Sequence, residues 1–149
     1  MIERVYWLND DDARQVAELG EKFYAMTKLP GEFHSGTFLM VWNQMLRAGV
    51  AIMWVCREEG RIIGSIGFIM SMGLMDGKIT MEETFWFVDP DHRGMAGVRL
   101  FNEMKKHVQD SHIERVLMAN MSGLNEARTE KFYERHGFVK LQTLYRLDL

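Results

Sequence analysis

The chain has 149 residues, 47% hydrophobic and 26% charged, enough for a single domain over 1–149 with a real core. Its formal net charge of −3 comes with no basic block, which argues against a general nucleic-acid binder, and one cysteine, Cys56, excludes an internal disulfide framework. The opening MIERVYWLND has no signal-peptide pattern and no apolar run reaches membrane-spanning length, so a soluble cytoplasmic protein that engages no membrane is expected.

Residues 2–7 read as a short strand. The cluster Asn9-Asp10-Asp11-Asp12 suits a helix N-terminus, and Ala13, Val16, Ala17, Leu19, Phe23 and Met26 then form one helical stripe through about Thr27. Pro30-Gly31 breaks that helix. A second helix is predicted over 37–48, with Phe38, Val41, Trp42, Met45 and Leu46 apolar and Gly49 at its end. Residues 50–57 and 61–72 flank Glu58-Glu59-Gly60 and read as a hairpin. Gly64 and Gly67 weaken its second strand and predict a bulge or close packing. Cys56 lies among apolar neighbours and reads as a buried, inert thiol, and most of the thirteen methionines read as core filler.

The stretch EETFWFVDPDHRGMAGVRLF, 82–101, organises the rest. A strand over 79–88 ends at Asp89-Pro90, because Pro90 donates no ladder hydrogen bond. Arg93-Gly94-Met95-Ala96-Gly97 then supplies small residues, and Val98, Leu100, Phe101, Met104 and Val108 recur at helical spacing to about Gln109. A helix opening on such a loop presents unpaired N–H groups and a positive dipole end, a site for an anion such as phosphate. A strand is predicted over 113–119, a helix over 125–135 stopped by Gly137, and closing strands over 138–141 and 143–147. The alternation predicts an α/β fold, one mixed, mostly antiparallel sheet of about seven strands with helices on both faces. The unit around the organising loop should be a parallel crossover.

Near the C-terminus, Asn125, a polar helix, Phe132-Tyr133 and Gly137-Phe138 resemble the second signature of the GCN5-related N-acetyltransferases. VDPDHRGMAGVRLF resembles their first signature, the acetyl-CoA diphosphate loop, and the pair follows the family's order over essentially the whole chain. The run Trp-Phe-Val-Asp-Pro is most similar to compact bacterial and phage-borne members. Where the family commonly has Arg/Gln-x-x-Gly-x-Gly/Ala, this chain has Arg93, Ala96 and Val98, and its Asn125–Tyr133 spacing is one residue longer than in many members.

The resemblance implies a sheet splayed between the fourth and fifth strands, with pantetheine hydrogen-bonded around Phe87 and Val88. It implies diphosphate contacts from the amides of Arg93, Gly94, Met95, Ala96, Gly97 and Val98, with the Arg93 and Arg99 side chains, and a cofactor contact from Asn125. It casts Tyr133 as the acid that protonates the departing sulfur, and either Glu82 or Glu83 as the base. Neighbours on a strand point to opposite faces, so at most one of the two serves. The family spacing favours Glu82. The histidines form no ligand set, so no metal is implied. The expected activity is direct acetyl transfer from acetyl-CoA, as acyl donor, to a small-molecule or peptide amine, and family members often dimerise. The alternatives are a non-catalytic acyl-CoA-binding module and a nucleic-acid base-modifying enzyme, which would need a contiguous basic surface.

Overall fold

The computed structural model describes residues 1–149 and divides them into two compact units, Met1–Ala119 and Asn120–Leu149. The first unit holds β1 (Ile2–Val5), α1 (Asp10–Met26), α2 (Ser35–Arg47), β2 (Ala51–Glu58), β3 (Arg61–Met72), β4 (Ile79–Val88), α3 (Met95–Gln109) and β5 (Arg115–Leu117). The second holds α4 (Glu126–Arg135).

One five-stranded sheet runs in the order β1-β2-β3-β4-β5. The first three pairings are antiparallel and β4 with β5 is parallel, so the expected mixed sheet and parallel crossover form. The strand count is corrected from about seven to five. Residues 139–149 form no strand, and Val139, Leu144, Tyr145 and Leu147 are more than four-fifths exposed. Alternating apolar residues favour a strand only where another edge completes the ladder, and these residues make none. The fifth strand is likewise three residues, not the seven read from the sequence.

Helices cover both faces. On one, Val16 and Leu19 of α1 and Trp42 and Leu46 of α2 pack with Met53 and Phe87. On the other, α3 buries Ala96, Leu100, Phe101 and Met104, a stripe at helical spacing, and Phe101 stacks on Trp86. Gly67 faces α2, where a Cβ would stand 2.7 Å from Trp42 and 2.8 Å from Phe85. Close packing therefore excludes any side chain there. The register also shifts beside each of the two β3 glycines. Cys56 is buried, as expected, and burial pushes its thiol up. No helix is long and apolar enough to cross a membrane.

Candidate active site

The nine cofactor residues expected in the first unit fall on one strand–turn–helix. Phe87 and Val88 end β4, Asp89 caps a single 3-10 turn at Pro90–His92, Arg93 follows, and Gly94 is the N-cap of α3. Gly94 adopts φ +151°, a conformation that in practice only glycine takes, and no side chain caps the helix. The first-turn amides from Met95 to Val98 therefore keep an anion-binding geometry. Arg93 and Arg99 are exposed beside them. A Cβ on Gly97 would meet Val88 and Trp86 only at 3.6–3.7 Å, so packing does not require glycine there.

The start of this turn is anchored. Asp89 is 3% exposed, its amide donates to Ile63 O, and its carboxylate accepts from the Asp91 amide at 3.1 Å and from Lys22 Nζ at 2.5 Å. Burial alone would raise Asp89, but the Lys22 hydrogen bond, the Asp91 amide and nearby positive charge hold its carboxyl below the usual range. Nothing in the sequence pairs Lys22 with Asp89, 67 positions apart.

β5 ends at Leu117 while β4 runs on to Val88, so their ladder stops at a fork short of this loop. β4 pairs with β5 only at Thr80–Arg115, Met81–Val116 and Glu82–Leu117. Beyond Glu82 no strand pairs with β4 on that edge, and a strand edge of this kind can take an extended ligand. Glu83 stands at the fork, and its Oε2 accepts the Ala119 amide at 2.8 Å. Loss of solvation pushes Glu83 up to about 7. The Ala119 hydrogen bond opposes that rise and the charge of Glu82 adds to it. Glu82, the carboxylate favoured by spacing, is exposed at the last paired position.

A bulge sets the two apart. Glu83 lies opposite Phe68 and Phe85 opposite Gly67, leaving Thr84 as the extra residue. Partners in register share a face, so Phe85 points to α2 with Gly67, whereas Glu83 lies on the α3 face and Glu82 on the opposite one. The Thr84 hydroxyl donates to Gly67 O at 3.0 Å. Under α1 and α2, Thr84, Phe85 and Phe87 wall a cavity of about 170 Å³, closed further by Phe23, Phe38 and Trp42. Phe38 and Trp42 were expected as apolar positions of the second helix. Thr84 and the phenylalanines carry no sequence signal beyond core.

In the second unit, Asn125 is the N-cap of α4 at φ +53°. Its carbonyl accepts the Arg128 and Thr129 amides, and its side chain makes no cap. Tyr133 is 8% exposed, between Phe132 and Phe138. The Phe138 amide donates to Tyr133 O and the Gly137 amide to Glu134 O, with Gly137 at φ +83°. This is a Schellman stop with its apolar contact, and it explains the Tyr-to-Gly-Phe spacing locally. No three His, Cys, Asp or Glu side chains gather as a metal-binding group.

The profile of the Acetyltransferase (GNAT) family matches residues 3–138, most of the chain and both signatures. The chain belongs to the GNAT acetyltransferase family. No curated protein matches this GNAT chain. Among solved structures it is similar to an acetyltransferase of Trypanosoma brucei, at 24% identity over 100% of each chain with a TM-score of 0.73. A predicted acetyltransferase of Clostridium acetobutylicum, solved with acetyl-CoA, is 11% identical over 99% of this chain and 96% of that one, TM-score 0.75. An aminoglycoside acetyltransferase from an uncultured soil metagenomic sample, solved with sisomicin, is 16% identical over 100% and 95%, TM-score 0.76. At these identities the likenesses speak for the GNAT fold.

Proposed function

We propose that this acetyltransferase moves an acetyl group from acetyl-CoA directly onto an amine. The observation that carries this reading is that the β4–β5 ladder stops at Glu82 while β4 runs on to a helix, α3, whose N-terminus no side chain caps. The amides of residues 94–98 would hold the diphosphate, with Arg93 and Arg99 supplying counter-charge. The free edge of β4 at Phe87 and Val88 would take the pantetheine amides as an added strand. Asn125 is assigned a further cofactor contact on the strength of its motif.

In the reaction the amine nitrogen bonds to the thioester carbonyl carbon and the carbon–sulfur bond breaks. Glu83 takes the proton the amine sheds. A carboxylate poised near neutrality can both accept a proton and be ionised often enough to do so. Glu82, exposed on the opposite face, draws the cationic acceptor toward the fork. Tyr133 donates its phenolic proton to the departing thiolate, the role its place in the second signature supports. The products are an N-acetylated amine and free CoA thiol.

The test is thiol release from acetyl-CoA across an amine panel, comparing wild type with Glu83→Gln and Tyr133→Phe. Turnover should fall by about 10²-fold or more for each, the usual weight of a positioned acid or base. Saturable acetyl-CoA binding with no turnover on any amine would instead support the non-catalytic module.

A further inference from the structure

We infer that the cavity under α1 and α2 is the acceptor's side-chain pocket, and that it takes an amine bearing a benzene-sized apolar group rather than a polycation. The inference rests on the acetyltransferase reading for the reaction and on the cavity alone for the acceptor class. At about 170 Å³ the cavity is close to the roughly 150 Å³ that, lined by apolar side chains, stays dry and admits benzene. Five of its walls are the rings of Phe23, Phe38, Trp42, Phe85 and Phe87, and none is Asp, Glu, Lys or Arg.

The two hydroxyls on the lining are already committed. Ser65 donates to Trp54 O at 3.0 Å, and Thr84 donates to Gly67 O at 3.0 Å. A second or third ammonium entering here would lose its hydration with no carboxylate to replace it, which is prohibitive. An aryl or branched alkyl group would lose only unfavourable contact with water and gain ring faces. The position also fits. The residues that wall the cavity from β4, Thr84, Phe85 and Phe87, lie past Glu82, where the ladder with β5 ends. The aminoglycoside-acetylating neighbour shares this fold, so the fold itself does not set acceptor class, and the cavity lining does.

The experiment compares kcat/KM for phenethylamine, methylamine, spermidine and an aminoglycoside, in wild type and in Val16→Phe, which places a ring into the cavity from α1. In wild type phenethylamine should exceed methylamine by about 100-fold or more, and the polycations should trail it. In Val16→Phe the phenethylamine-to-methylamine ratio should fall at least tenfold. The ratio is taken within each variant, so partial loss of folded protein cancels. Polycations outrunning phenethylamine, or an unchanged ratio in Val16→Phe, would overturn the inference while leaving the transferase reading intact. A second measurement needs no turnover: toluene titrated against wild type, read by tryptophan fluorescence and thermal shift. Saturable binding that Val16→Phe abolishes supports the pocket, and no binding overturns it. Absence of thiol release with every amine would instead remove the transferase reading alone.

Discussion

Glu83 carries one hydrogen bond and one large desolvation. Its carboxylate takes the Ala119 amide where the β4–β5 ladder ends, and the surroundings raise its pKa to about 7. If it is the base, kcat/KM should climb with pH through about 7 and level off above, and Glu83→Gln should remove that limb along with most of the rate. The same shift affects stability with a definite sign. A carboxyl raised on folding favours the folded state while protonated, so its contribution is full below the unfolded value near 4.5 and is lost as pH rises through about 7. Glu83→Gln should therefore raise the urea midpoint over wild type at pH 8, with the gap closing by pH 4. A gap that stays constant with pH would refute the assignment of that shift to Glu83.

At the scale of elements, the β4–α3 junction makes two demands. Gly94 at φ +151° should not accept a side chain, and Gly94→Ala should cost about 1–3 kcal/mol in denaturant unfolding. Gly97→Ala meets nothing closer than 3.6 Å and should leave stability within about 0.5 kcal/mol. A loss of acetyl-CoA affinity in Gly97→Ala, measured by calorimetry, would then report ligand approach to that backbone. The other demand is the tether from α1. Removing the ammonium in Lys22→Met leaves Asp89 buried with only the Asp91 amide on its carboxylate, for an expected cost of about 1–3 kcal/mol. Because Asp89 is depressed, that stabilisation is present above its unfolded pKa and lost as pH falls through the lower folded one. The Lys22→Met deficit should accordingly vanish in strong acid.

For the whole molecule, a ligand that binds only the folded chain must raise its stability by mass action. Acetyl-CoA at 100 times its Kd should add about 2.7 kcal/mol, seen as a concentration-dependent rise in Tm. Hydrogen exchange under the same conditions should slow most at the amides of residues 94–98 and at Phe87 and Val88. Protection elsewhere with none at the α3 N-terminus would place the cofactor wrongly.

What could be read without coordinates was local. The caps, breaks and periodicities that fix α1 to α4, the β2–β3 hairpin, the Asp89-Pro90 stop and the Gly137 stop each depend on residues within a few positions. The spacing of Tyr133, Gly137 and Phe138 is legible because a Schellman turn closes within six residues. What escaped was non-local. Thr84 bulges because Phe68 and Gly67 on β3 take Glu83 and Phe85 as partners, and this puts Glu82 and Glu83 in different surroundings. Spacing favoured Glu82, but desolvation at the fork acts on Glu83. The Lys22–Asp89 tether and the aromatic cavity bring together positions dozens of residues apart. The two closing strands expected after α4 show the reverse case, since strand propensity is a property of residues but a ladder needs a second edge. Sequence alone determined the family, the glycine-led opening of α3 and the order of elements; the tertiary structure decided where the β4–β5 ladder ends, which carboxylate is desolvated and what cavity the helices enclose, because pairing and burial belong to the folded chain and not to any segment of it.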